Sequence, residues 1–285
     1  MEDLLSKTSL SSTVSGKSLF ICERVQSSKS NTEHTTQILF EDNGVGTLHI
    51  SRDGSLPLYS CGIYTGVVCD IGDGASTAVP FFDGDVVGGP MSVGRVDLSG
   101  MDVTSYLTQR ILYNGMVYEN PISQFQDITT IKETYCYVTT NLKTRDIEKT
   151  TYKSKYGTTT IGSERFQCPE VLFKPYLIKE DIPSIVDMIF KSITQCPKPL
   201  HKALFGNIIL CGGSTLLPGF DERLLMELRG LQEIPIPTNI CPLKDRVVAN
   251  WEGGCVLSGL PIGWLTKEEY EECGPAIVEK LFYRN

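Results

Sequence analysis

Between Gly62 and Leu98 the chain alternates short apolar or β-branched runs with glycine-aspartate breaks. Ile63 to Cys69 reads as a strand, Asp70-Ile71-Gly72-Asp73-Gly74 as a turn, and Ala75 to Phe82 as a second strand; a further turn at Asp83-Gly84-Asp85 leads to Val93–Leu98. This order predicts an antiparallel meander opening an α/β unit. Helical spacing follows. Val103, Tyr106, Leu107 and Ile111 fall on one face, and Ile182, Ile185, Val186, Ile189, Phe190 and Ile193 recur at i, i+3, i+4, i+7, i+8 and i+11. Asp181 is the expected N-cap of that second helix, with Pro183 near its first turn. Asn207 to Cys211 predicts a buried strand, Gly212-Gly213-Ser214-Thr215 a turn, and Pro218 to Arg229 a helix with Phe220, Leu224, Leu225 and Leu228 inward. Short helices are expected over Trp251–Leu260 and Lys267–Cys273.

Residues 1–18 hold eight Ser/Thr and no apolar pattern, so they read as a flexible tail that does not pack. Gly16-Lys17-Ser18 ends like a phosphate-loop motif, but Ser11 stands where the first glycine belongs and no strand precedes it. The chain of 285 residues is long enough for two domains. Its formal charge of −8, without a Lys/Arg stripe, argues against nucleic acid or an anionic membrane as partner. Glu2 and Asp3 open a segment lacking the basic and apolar regions of an export signal, and runs such as Ile208–Cys211 fall far short of the ~20 residues that cross a bilayer. The ten cysteines are scattered without a C-x-x-C, and the three histidines stand apart, so zinc spacing is absent. Apolar neighbours such as those of Cys69 and Cys211 mark most of them as buried reduced thiols of an intracellular protein.

Two glycine turns carry the candidate chemistry. In Asp70-Ile71-Gly72-Asp73-Gly74, backbone N–H groups can converge on an anion, and Asp70 can face a hydrated divalent cation that bridges phosphates. An Asp-Gly hairpin turn is the equally simple structural reading. Gly212-Gly213-Ser214-Thr215 lets the backbone approach a base or phosphate, while a strand-to-helix connection also favours glycine. Leu216 occupies the place of the last glycine of a G-x-S-x-G nucleophile elbow, which excludes that motif.

These turns occur together with Thr36–Glu41, Val96–Asp102, Ile131–Tyr137, Gly162–Glu170, Asn207–Gly219, Trp251-Glu252-Gly253-Gly254, Lys267–Tyr270 and Gly274–Val278. In order and spacing the set resembles actin and the actin-related proteins from about Leu19 to the C-terminus. The resemblance implies an α/β, actin-like (ribonuclease H-like) fold. It implies a partial outer domain over 19–60 plus 249–285, and an inner domain with its sheet lobe at 61–98 plus 181–248 and its helical lobe at 99–180. It places Asp70, Gly72, Asp73 and Gly74 in the family's second phosphate loop, with Asp70 on the metal side through water. Lys132 and Glu133 fall on its adenosine-contacting helix, and Gly212, Gly213 and Ser214 on its adenosine loop. Without the family, Lys132 and Glu133 read as solvated helix charges. The implied cofactor is ATP or ADP with Mg²⁺, weakly held and not required.

The departures set the functional expectation. The Ser/Thr tail stands in place of the opening quarter of the family pattern, which carries the first phosphate loop. Asp53 stands where the water-positioning glutamine falls, Thr77 where a histidine falls, and Arg246-Val247 where an Arg/Lys pair packs on the base. Phosphoryl transfer depends on positioning and charge neutralisation, so an unneutralised Asp53 beside a γ-phosphate opposes it. The expectation is a non-catalytic structural subunit of a cytoplasmic, cytoskeletal assembly whose partners are actin or other actin-family subunits. The alternatives are an actin-like ATPase with an incomplete N-terminus and a nuclear chromatin-complex subunit. Ile38, Leu39 and Phe40 are expected on a helix left partly uncovered. At ~25 cal/mol per Å², a few hundred Å² of such surface is worth several kcal/mol, which makes stability depend on a partner.

Overall fold

The computed structural model describes residues 13–24, 27–112, 117–140, 149–178 and 181–282, apart from the side chains of Asp53, Leu112, Glu279 and Phe282. Residues 1–12, the Asp53 side chain and Tyr283-Arg284-Asn285 therefore lie outside the described residues. The chain forms two compact units, Met1–Gly62 with Val248–Asn285, and Ile63–Val247. The first unit opens with β1 (Ser18–Glu23), α1 (Lys29–Gln37), β2 (Thr47–Arg52) and α2 (Leu56–Ser60). Ser28 caps α1 by accepting a bond from Asn31 N. At its C-terminal end the helix widens into a π turn over Ile38–Asp42, which brings the consecutive Leu39 and Phe40 both inside.

The second unit is built on β3 (Gly66–Ile71), β4 (Ser76–Phe82), β5 (Asp85–Val86) and β6 (Gly94–Val96), followed by α3 (Gly100–Leu112) and α4 (Pro121–Tyr135). The hairpin β7 (Thr150–Ser154) and β8 (Gly157–Ile161) leads through α5 (Glu164–Gln167) to α6 (Ile185–Thr194), α7 (His201–Gly206), β9 (Ile208–Cys211), α8 (Phe220–Gly230) and β10 (Ile240–Cys241). The sheet order is β10-β9-β3-β4-β5, with β6 also on β4. β3 runs antiparallel to β4 and parallel to β9. Every residue of β3 except Asp70 is buried, as a central strand requires. One continuous apolar core includes Val67 and Ile71 of the sheet, Leu107 and Ile128 of α3 and α4, and Ile189 and Leu224 of α6 and α8.

Two features of this unit differ from the sequence reading. Ser184, not Asp181, caps α6: its Oγ accepts from Asp187 N at 3.1 Å, and Asp187 Oδ2 accepts from Ser184 N at 3.0 Å. Pro183 disfavours helical backbone at Ile182, and Asp181 sits outside the helix at φ 63°. The second feature is a buried ion pair that the sequence reading did not contain. The Arg223 guanidinium donates to Glu170 Oε1 at 2.7 Å and Oε2 at 2.9 Å, and to Thr139 O at 2.6 Å. It lies 4.8 Å from the centre of the Phe173 ring.

The chain then returns to the first unit through α9 (Ala249–Ser258), β11 (Leu265–Thr266), α10 (Lys267–Cys273) and α11 (Ile277–Phe282). Its sheet order is β1-β2-β11, with β1 parallel and β11 antiparallel to β2. α9 packs on α2 so closely that a Cβ on Gly253 would lie 1.9 Å from Leu56 O. Two expectations about this unit are corrected. Residues 13–18 are not an unpacked tail: Ser15 bridges to Val45, Gly16 N donates to Gly44 O at 2.8 Å, and Val14 packs on the core. Leu39 and Phe40 are not uncovered, being 3% and 2% exposed in a core with Val45, Leu48, Leu265 and Tyr270. The Phe40 and Tyr270 rings stack at 4.6 Å.

None of the ten cysteines is in a disulfide; Cys69, Cys136, Cys168, Cys196 and Cys211 are buried, whereas Cys22, Cys255 and Cys273 are exposed, so half of them rather than most are buried. Burial pushes the Cys136 thiol up to about 12. Among the described residues no helix is long and apolar enough to cross a membrane.

Candidate functional site

The first glycine turn is a hairpin connection, since Ile71 pairs with Ser76 and Asp70 with Thr77. Its carbonyls do more than close the hairpin. Gly72 O and Asp73 O accept from Gly100 N at 2.9 Å and Met101 N at 3.0 Å, so the start of α3 is docked on the turn. Ser99 adds its hydroxyl to Asp73 O.

The second turn leaves β9 beside β3, where Cys211 pairs with Asp70. Gly212 has φ 85°, and a Cβ there would lie 2.5 Å from Ile71 O and 2.6 Å from Asp70 Oδ1, so only glycine fits. A 3-10 turn follows over Gly213–Leu216, and Ser214 Oγ donates to Gly72 O at 3.1 Å, tying the second turn to the first. Arg246 holds the assembly from behind. Its guanidinium donates to Asp221 at 2.8 and 2.6 Å and to Thr215 O at 2.8 Å, while its carbonyl accepts from Gly212 N.

The third component is α4, capped by Asn120, whose Oδ1 accepts from Ser123 N at 2.8 Å. Lys132 near its end is 8% exposed, so the solvated reading fails for this residue. Its ammonium donates to Asp73 Oδ1 at 3.3 Å and Gly100 O at 3.1 Å. A Cβ on Gly100 would lie 2.7 Å from Ser214 Oγ, 3.0 Å from Asp73 Oδ1 and 3.2 Å from Lys132 Nζ. Three distant segments thus converge on a glycine that the sequence reading did not place in the site. Its signal was present only as one residue of the Val96–Asp102 stretch.

A cavity of about 490 Å³ opens among these segments, within the ~300–1,000 Å³ range of small-molecule sites. Of the nine residues expected from the sequence, Gly72, Asp73, Lys132, Glu133, Gly213 and Ser214 line it, whereas Asp70, Gly74 and Gly212 do not. Phe125, Leu216, Leu217 and Val247 give it an apolar side. Among the described residues, the charged side chains on its wall are two carboxylates, Asp73 and Glu133, against the Lys132 ammonium. The arrangement suits a ligand with a flat apolar part and a hydroxyl-bearing polar part, and it gives little attraction to a polyanion. Among the described residues no three His, Cys, Asp or Glu side chains form a metal-holding group. A divalent cation near Asp70 would take most of its oxygen ligands from water and a bound phosphate.

A protein-family model described as Actin matches the sequence over residues 1–129 and over residues 120–283. The match begins ahead of Leu19, where the resemblance drawn from motifs starts. It takes in both glycine turns, α4 and the mixed α/β units that carry them, and on that extent the chain belongs to the actin family.

Proposed function

We propose that this protein is a non-catalytic actin-family subunit of a cytoplasmic, cytoskeletal assembly, joined to actin or other actin-family chains, and that it holds an adenine nucleotide weakly through the adenosine side. The observation that carries the reading is the engagement of Lys132. Its ammonium is bonded to Asp73 and to Gly100 O, and the cavity wall is left with one more negative than positive side chain. A triphosphate entering such a cavity meets no uncommitted cation among the described residues that line it and depends on the Mg²⁺ it brings, for which Asp70 is the carboxylate that the resemblance places on the metal side. Thr77 in β4 and Asp53, at the positions of the family's histidine and water-orienting glutamine, support the absence of turnover. Val247 on the cavity wall, in place of a lysine, removes a further cation.

Phosphate release from Mg²⁺-ATP and calorimetric titration with ATP and ADP test this on the purified chain. The expected result is release no faster than in buffer, with the two nucleotides bound weakly and within about threefold of each other. Turnover abolished by Asp70→Ala, or submicromolar ATP affinity with strong preference over ADP, would overturn it.

A further inference from the structure

Among the described residues, β1 ends the sheet of the first unit, which runs β1-β2-β11. The strands that end the two larger sheets elsewhere are short: β5, β10 and β11 have two residues each and β6 has three. Such ends offer little for another chain to pair with. β1 has six residues, with an unbroken register on β2, no proline and no charge before Glu23. None of the six is buried, whereas every residue of the central strand β3 is buried except Asp70. Both faces of β1 are nevertheless in use: Leu19 and Ile21 pack on the core of the unit, and the Phe20 ring stacks on His49 at 5.1 Å. Among the described residues, what β1 leaves open is its edge. Lys17 O accepts from Thr47 N on β2 at 3.3 Å, and backbone groups alternate sides along a strand. Odd-numbered residues therefore bond β2, and Ser18, Phe20 and Cys22 turn their N–H and C=O groups outward.

We propose that this edge pairs with the β1 edge of a second copy of the chain, antiparallel, about a two-fold axis through Phe20. That register sets Phe20 opposite Phe20, Leu19 opposite Ile21, Ser18 opposite Cys22 and Lys17 opposite Glu23, so each outward residue meets an outward residue. Opposed side chains also share a face. The joint is then aromatic on aromatic and aliphatic on aliphatic, with an ion pair at both ends, and each of these cross-strand pairs is favourable. Thr32 Oγ1 donates to Glu23 Oε2 at 2.6 Å, which holds that carboxylate at the strand end, and Lys17 is exposed at the other. Sliding the copies by two residues sets Lys17 against Ile21 or Glu23 against Leu19, and a slip of one residue turns apolar side chains to the wrong face. Charge and pattern thus select a second copy, in one register, over a strand of unrelated sequence. No residue of β1 lines the cavity described above, so the proposal stands or falls independently of the adenosine-side reading.

Sedimentation velocity over a dilution series of the wild-type chain, Lys17→Glu, Glu23→Lys and an equimolar mixture of the two variants tests this. The wild type is expected to show a monomer–dimer equilibrium, with exchange at the Phe20 amide slowing as concentration rises through it. Each single variant turns both end attractions into repulsions and should dimerise about tenfold more weakly. The mixture restores opposite charges at both ends of a mixed pair and should return to about the wild-type affinity. A melt of each dilute variant establishes that it folds; should Glu23→Lys unfold through loss of its Thr32 bond, Lys17→Glu alone still has to weaken the dimer. A dimer indifferent to the charge reversals, or a mixture of folded variants no stronger than either alone, would overturn the proposal. So would a wild-type monomer at every concentration: a protected Phe20 amide would then show the chain's own residues covering the edge, and an exposed one would leave it to a strand of another protein.

Discussion

Replacing Arg223 by methionine removes the cation from a pair whose two residues are 2% and 4% exposed. The methionine keeps an apolar stem against Phe173 but leaves the Glu170 carboxylate without its two guanidinium bonds, at 2.7 and 2.9 Å, and Thr139 O without its donor. Breaking a buried pair from one side costs about 3–5 kcal/mol. Lys174 Nζ, 2.9 Å from Glu170 Oε1 and at 33% exposure, stays behind as a partial replacement, which places the loss at the lower end, about 3 kcal/mol. For a unit the size of Ile63–Val247 the unfolding entropy is roughly 0.4 kcal/mol per kelvin, so the melt should fall by about 8 °C. The double variant Arg223→Met/Glu170→Leu removes the stranded charge as well, and replacing both members of a buried pair with apolar groups is close to neutral. It should therefore recover most of the loss. Circular dichroism melts of the wild type, both single variants and the double variant give the coupling directly. A double variant as damaged as the sum of the singles would refute the reasoning, because it would mean that packing of the stems, and not the charge, sets the cost.

Burial holds the His49 imidazole below the ordinary histidine range, partly offset by its 2.6 Å bond from Nδ1–H to Gly263 O. The unfolded chain then takes the proton first, so stability is complete above about pH 6.5 and is lost as pH falls toward the lower folded value. Urea unfolding at pH 7.5 and 5.5 should show a larger loss for the wild type than for His49→Gln, and equal losses would contradict it. Gly100→Ala should leave stability within about 1 kcal/mol, since helix propensity offsets the crowding. It should nevertheless weaken adenosine binding by pushing apart Ser214, Asp73 and Lys132; a melt and a titration run side by side check this, and unchanged affinity would count against the convergence of the three groups on Gly100.

The sheet of the second unit was legible because β-branched runs around Asp70–Gly74 are punctuated by residues that cannot continue a strand, and α6 because its apolar stripe keeps a strict helical period. The α6 cap was missed since Asp181 and Ser184 are both good cap residues, and only the reach of Asp187 back to Ser184 decides between them. The burial of Leu39 and Phe40 together was hidden because a π turn breaks the period on which a sequence reading relies. Six of the nine expected site residues line the cavity, since glycine turns leave a local signature. Lys132 with Asp73 and Arg223 with Glu170 leave none, because the partners are 59 and 53 positions apart. Phe125 lies in a stretch of α4 where polar and apolar residues mix without a clear stripe, so nothing local marked it.

The bond from Ser214 to Gly72 spans 142 positions, and the bond from Lys132 to Asp73 spans 59. Closing contacts of that length is entropically slow, so the cavity is assembled only when strands and helices from across the second unit have already come together. An unfolded or half-formed chain has no such cavity to offer. Whatever fills it binds the finished state alone and adds RT ln(1 + [L]/Kd) to that state's stability. Even a weak ligand, present in large excess over its dissociation constant, would slow loss of the native chain to proteolysis without being chemically changed. Occupancy of this cavity would therefore act as a test of completed folding.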